Sequence, residues 1–92
     1  MTEAIETTRK RLIMRSMRRG IKEMDLILSN FASRALAGYD ADALQVYEDL
    51  LEESDLDLYR WVSGQQAAPA PFAPLVADIA KGATGLTRPH AT

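Results

Sequence analysis

Arg15-Ser16-Met17-Arg18-Arg19-Gly20-Ile21-Lys22-Glu23-Met24-Asp25-Leu26-Ile27-Leu28 is the stretch on which the fold of this chain turns. On its C-terminal side Ile21, Met24, Leu28, Phe31 and Ala35 recur every three or four residues, the stripe of an amphipathic helix. On its N-terminal side Ile5, Leu12, Ile13 and Met17 can line one side of a first helix, from Glu3 to Met17. Gly20 lies between the two. In a helix interior glycine costs about 1 kcal/mol relative to Ala. Its presence predicts either a corner between the helices or a point where another backbone comes close. Arg19-Gly20-x-x-Glu23, followed by Asp25, puts a guanidinium, a residue without a side chain and carboxylates side by side. That grouping suits a surface that docks onto another macromolecule, and does not look like a site that performs chemistry alone.

Working outward, Gly38 offers a stop for the second helix after Leu36-Ala37. Asp40 or Asp42 can cap a third helix with Leu44, Tyr47, Leu50 and Leu51 inward. Ser54-x-x-Asp57 resembles a capping box and starts a short fourth helix that buries Leu58, Trp61 and Val62 and ends at Gly64. Gln65 to Pro74, with three Pro and four Ala, reads as a semi-extended connector. Phe72, Leu75, Val76 and Ile79 then give a last helix. No useful β-alternation occurs. The expectation is an all-α protein: a small bundle of about five short helices forming one domain over residues 1–82, with 83–92 as a flexible tail.

Composition narrows the function classes. Ninety-two residues make one domain with a stability of about 5–14 kcal/mol and little room for an internal substrate cavity. There is no Cys, so a thiolate metal site cannot be built, and the single His, His90, falls in the expected tail, so a His-centred triad or His cluster is not expected. No run of about 18 apolar residues is present. The N-terminus has no signal-peptide core, and Glu3 and Glu6 argue against a mitochondrial transit peptide. These features predict a bacterial cytoplasmic protein. Net charge is only −2, yet seven of the eleven Lys/Arg lie between Arg9 and Lys22, and eight of the thirteen Asp/Glu lie between Asp40 and Asp57. That segregation predicts a positive and a negative pole.

Each motif also has a plainer explanation. Arg19 and Glu23, at i and i+4, could form a surface ion pair worth roughly 0.2–0.5 kcal/mol. Asp25 could serve only the helix dipole. The basic run Arg9, Lys10, Arg11, Arg15, Arg18, Arg19, Lys22 has no aromatic residue within it to stack a base, which disfavours nucleic acid as partner. The acidic segment lacks the glycine and spacing of a calcium loop and reads as a solvated helix face. Tyr47, Tyr59 and Trp61 read as core and rim. No metal site, catalytic set or cofactor fingerprint is present.

Arg15, Arg18-Arg19-Gly20, Glu23, Asp25 and Leu28, together with Tyr47-x-x-Leu50-Leu51, Asp55-Leu56-Asp57-Leu58-Tyr59-x-Trp61 and Gly64, resemble the two sequence blocks of the succinate dehydrogenase assembly factor family, the SdhE or flavinator family. Ile21 stands where many members carry Met. The resemblance implies a five-helix fold and a non-enzymatic role. That role is to bind the flavoprotein subunit of succinate dehydrogenase, with that of fumarate reductase as a further candidate client, and to promote its covalent attachment of FAD. In such clients a His bonds to the flavin 8α-methyl carbon, and a helper need only hold the client in a productive conformation. The chain would act as a monomer on the partner's FAD, binding no cofactor stably itself, with no nucleic acid and no membrane insertion. The partner-binding residues carried over are Arg15, Arg18, Arg19, Gly20, Ile21, Glu23, Met24 and Asp25. The arginines would pair with client carboxylates or carbonyls, and Glu23 would accept hydrogen bonds beside the flavin. The alternative is a small helical adaptor or chaperone with no part in flavin attachment.

Overall fold

The computed structural model describes residues 4–17 and 19–83. Among them it contains five α-helices and no strand: α1 (Ile5–Ser16), α2 (Lys22–Ala35), α3 (Ala41–Leu51), α4 (Asp55–Val62) and α5 (Ala73–Ala83). A single 3-10 turn, Leu36–Gly38, follows α2. The all-α bundle expected from periodicity is the fold observed. Arg18, Glu3 and most of the expected tail lie outside the described residues, although Ala83 closes α5.

The helix ends follow from local chemistry. Asp40 accepts the Ala43 N–H at 2.8 Å and so caps α3. Ser54 accepts the Asp57 N–H at 3.1 Å and caps α4. Gly64, at φ +83°, carries the chain out of α4 through a left-handed residue, and the N–H groups of Gln65 and Gln66 both return to the Arg60 carbonyl. Gly38 does not play that part. The exit from α2 tightens into the 3-10 turn, with the Tyr39 N–H on the Leu36 carbonyl, and Gly38 keeps a negative φ.

α2 is the central element and packs against α1, α4 and α5, while α1 also packs on α3. Met24, Ile27, Leu28, Phe31 and Ala32 of α2 meet Leu44, Tyr47, Leu50 and Leu51 of α3, with Leu58 and Trp61 of α4 and Leu75, Val76 and Ile79 of α5 completing the core. The Phe31 ring stacks on Tyr47 at 5.8 Å and takes the edge of Tyr39 at 6.1 Å. Phe72 sits just ahead of α5 and packs on Trp61 at 6.1 Å.

α1 departs from the expected stripe. Ile5 and Met17 are exposed, Ile13 is half-buried, and the core line is Leu12 and Ser16. The reason is Tyr47. Its ring fills the core, so its hydroxyl is buried and requires a partner. Ser16 supplies one at 2.6 Å, while the Ser16 hydroxyl also bonds the Leu12 carbonyl at 2.7 Å. The hydrogen-bond count works if Ser16 donates to Leu12 and accepts from Tyr47.

An asymmetry follows. Ser16→Ala strands a buried phenol hydroxyl and is expected to cost about 1–3 kcal/mol, whereas Tyr47→Phe leaves Ser16 satisfied and is expected to cost about 0.5–1.5 kcal/mol, both read by chemical denaturation. Burial pushes the Tyr47 phenol from 10.0 up to about 12, against the opposing effect of the Ser16 hydrogen bond. The fold holds the protonated form. Its contribution, about 2–3 kcal/mol, is therefore complete below pH 10 and lost as pH rises towards 12. Phenolate absorbance of Tyr47 is expected to appear together with loss of helical circular dichroism, not before it.

Candidate protein-docking site

The Arg19-Gly20 corner joins α1 to α2, and a carboxylate 35 residues downstream of Gly20 holds it there. Asp55, at the first position of α4, accepts Arg19 Nε at 2.7 Å on one oxygen. Its other oxygen accepts the Gly20 N–H at 2.5 Å and the Ile21 N–H at 3.1 Å. The rest of the Arg19 guanidinium donates to the Leu51 carbonyl at 2.8 Å and the Glu53 carbonyl at 3.0 Å, where α3 ends. Asp25, from the first turn of α2, accepts the Arg19 N–H. The corner of one helical pair is thus clipped to the α3–α4 junction by one arginine and two aspartates. The Arg19 and Asp55 side chains are only 12% and 13% exposed, so solvent screening of the pair is weak.

Gly20 has an ordinary negative φ, so backbone strain does not explain it. Space does. A Cβ on Gly20 would lie 3.3 Å from Asp55 Oδ2, tighter than an ordinary contact, so a side chain crowds the carboxylate that the backbone N–H grips. The residue is exposed on its other side.

The eight residues expected to contact a partner therefore divide. Gly20 and Glu23 are exposed. Glu23, in the first turn of α2, makes no ion pair with Arg19 or any other described residue. Ile21 is half-buried as the N-cap of α2. Arg19 and Asp25 are committed to the clip. Met24 is fully buried and belongs to the core, because it lies on the line of Leu28 and Phe31; it supports the corner from beneath and cannot meet a partner. Arg18 lies outside the described residues. Arg15 bonds Glu52 at 2.6 Å and approaches Glu48 at 3.7 Å.

The same geometry corrects the expected charge poles. Arg11, Arg15 and Arg19, four residues apart, face Glu48, Glu52 and Asp55 across the contact of α1 with α3 and the start of α4, beginning with Arg11 on Glu48 at 2.6 Å. Arg9 donates to the Leu36 and Tyr39 carbonyls at 3.0 and 2.8 Å. Three of the seven basic residues of the first run are thus paired with three of the eight acidic residues of the second within the fold.

Asp55 is the residue that motif reasoning missed as part of this site. A trace of it was present: Asp55 opens the second sequence block, Asp55-Leu56-Asp57-Leu58-Tyr59-x-Trp61, although its place in the first turn of α4 also suits the helix dipole. Among the described residues no group of carboxylates or His could hold a metal ion, and no helix is long and apolar enough to cross a membrane. Two open grooves, of about 340 Å³ between α1 and α3 and about 370 Å³ beside Tyr39 and Pro71, are lined by none of the corner residues.

Residues 10–83, which contain the corner, the clip and all the core helices except the start of α1, match the family described as the flavinator of succinate dehydrogenase. The chain belongs to that family. It is similar to proteins named mitochondrial succinate dehydrogenase assembly factor 2. Identity is 46% over 61 residues in Debaryomyces hansenii (66% of this chain, 43% of that protein), and 43% over 67 residues in Schizosaccharomyces japonicus (73% and 47%). In Komagataella phaffii it is 41% over 70 residues (75% and 37%). The aligned part is under half the length of each of these relatives. They are eukaryotic proteins named as mitochondrial, which overturns the expectation of a bacterial cytoplasmic protein. That expectation leaned on the first residues of the chain, a region that lies ahead of the family match at residue 10 and says nothing about the shared domain.

Proposed function

We propose that this chain is an assembly factor that binds the flavoprotein subunit of succinate dehydrogenase and promotes its covalent flavinylation. The observation that carries this reading is the clip in a chain of the flavinator family. Asp55 and Asp25 hold the Arg19-Gly20 corner and leave the exposed backbone of Gly20 close in sequence to Glu23, an exposed carboxylate with no ion pair among the described residues. A rigid exposed glycine lets a client backbone approach at little entropic cost. Glu23 accepts hydrogen bonds from client groups beside the flavin and so fixes a domain orientation.

The client supplies the atoms that form the bond, and this chain supplies geometry; alignment of that kind is worth up to about 7–11 kcal/mol. The chain is not itself an enzyme on this reading, and FAD belongs to the client. The fumarate reductase flavoprotein is a second client of the same chemistry, and the chain acts as a monomer that leaves once the flavin is attached.

The division of labour in the corner changes the part given to the arginines. Arg19 spends its donors inside the fold, so client carboxylates are not its partners; it works by holding Gly20 and Glu23 in place. Glu23→Ala is therefore expected to reduce covalent flavin on the client about tenfold, with a thermal midpoint within a few degrees of wild type, because the side chain is exposed and outside the clip. Co-expression with the flavoprotein, followed by in-gel fluorescence of the denatured subunit, measures it. Full fluorescence with Glu23→Ala would remove that residue from the docking site.

A further inference from the structure

Resting on the reading above, the geometry points to a second contact surface continuous with the corner: the outer face of the α1–α2 pair docks on an apolar client patch edged by carboxylates. Among the described residues, four of the five large apolar side chains that the fold leaves exposed, Ile5, Met14, Met17 and Leu26, lie on α1, at its C-cap or on α2, and the last three carry this proposal. Met14 is 60% exposed and stands two residues from both Leu12 and Ser16, hence on the opposite side of α1. Leu26 is 47% exposed and stands two residues from both Met24 and Leu28, hence on the opposite side of α2. Met17, 55% exposed, is the C-cap of α1, beside the corner. The two helices meet along a seam where Ser29 Oγ donates to the Ser16 carbonyl at 3.5 Å.

Charge selects the occupant. The described arginines of the basic run are committed to carboxylates or carbonyls inside the fold. Lys10 and Lys22 are exposed and have no partner among the described residues. Lys10 lies one turn before Met14, and Lys22 one turn before Leu26, so each stands beside an exposed apolar side chain on the outer side of its helix. Flexible methionines adapt their shape to an apolar partner surface. Exposed apolar side chains with cationic neighbours fit a partner patch of the opposite sign.

The test uses the full chain and the purified flavoprotein subunit carrying non-covalent FAD, with binding followed by biolayer interferometry. Met14→Ser/Met17→Ser/Leu26→Ser is expected to bind roughly 30-fold more weakly or worse, with unchanged helical circular dichroism and thermal midpoint. Met14→Leu/Met17→Leu is expected to bind like wild type. Lys10→Glu/Lys22→Glu is expected to slow association about tenfold at low salt, with the gap closing as salt rises. If wild type binds the subunit and the triple serine variant binds equally well, this face is overturned while the corner reading stands. Failure of wild type to bind the subunit at all overturns both. A wild-type dimer in sedimentation that the triple variant loses, or binding of wild type to anionic vesicles that the variant loses, with client affinity unchanged in either case, assigns the face to another occupant and overturns the proposal.

Discussion

Asp55→Ala is expected to lower the thermal midpoint by roughly 10–25 °C and to abolish support for flavinylation at any temperature where the variant is still folded. One carboxylate serves three donors here, Arg19 Nε and the N–H groups of Gly20 and Ile21. Removing it leaves a nearly buried guanidinium with only two carbonyl acceptors, the half-buried Ile21 N–H without its acceptor, and the exposed Gly20 N–H to solvent. Loss of one member of a shielded charge pair costs about 3–5 kcal/mol when burial is complete; the residual exposure of this one brings the expectation to about 2–4 kcal/mol. For a domain of this size each kcal/mol moves the midpoint by about 4–8 °C. Arg19→Ala should cost a similar amount, and the double variant less than the sum, because both changes break the same contact. Additive losses in that cycle would mean that the clip does not act as a unit. The functional loss has a separate cause: without Asp55 only the Arg19 bonds to the Leu51 and Glu53 carbonyls tie the corner to the α3–α4 junction, the Gly20 and Ile21 backbone is released, and Gly20 and Glu23 no longer keep a fixed relation.

Gly20→Arg is expected to leave the fold mostly intact and reduce covalent flavin on the client to the level seen without any assembly factor. The new Cβ begins 3.3 Å from Asp55 Oδ2, so the carboxylate must yield by a few tenths of an ångström. The inner side is occupied by that carboxylate, and the long side chain has to project outward. It then places a cation and several methylenes where the client backbone is proposed to lie. Docking fails by bulk, and by the desolvation of a charge with no prepared partner. The expected thermal penalty is a few degrees, far less than for Asp55→Ala. Gly20→Ala should fall between wild type and Gly20→Arg in flavin yield. The pair of variants separates stability from docking: Asp55→Ala loses both, Gly20→Arg loses one. Full flavin attachment with Gly20→Arg would show that the corner faces solvent rather than the client.

How far the sequence led can be judged residue by residue. Leu44, Tyr47, Leu50 and Leu51 announce their helix because all four sit on one stripe, and Asp40, Ser54 and Gly64 mark ends through local hydrogen bonding that needs no tertiary knowledge. Gly20 was legible as a corner from its poor fit in a helix interior, although the carboxylate that holds it lies 35 residues downstream. The α1 stripe was misread at Ile5 and Met17 because the position that belongs in the core, Ser16, is polar and is drawn in by a tyrosine hydroxyl 31 residues away. Arg19 looked like an outward contact because its acceptors lie 32 to 36 residues downstream. Local spacing cannot pair an arginine with a carboxylate across a fold, and so Arg11, Arg15 and Arg19 read as part of a positive pole when each has a carboxylate partner in the acidic run. Met24 shows the limit of a motif: lying between Glu23 and Asp25 says nothing about which side of the helix it occupies, whereas its periodicity with Leu28 and Phe31 does.

The most direct test of the account is a time course with purified components. The flavoprotein subunit, FAD and this chain are mixed, samples are denatured at intervals, and fluorescence of flavin that stays with the subunit is read on the gel. The account predicts that covalent flavin accumulates at least tenfold faster with the wild-type chain than without it, and that Gly20→Arg gives the unassisted rate. Equal rates with and without the wild-type chain would contradict it.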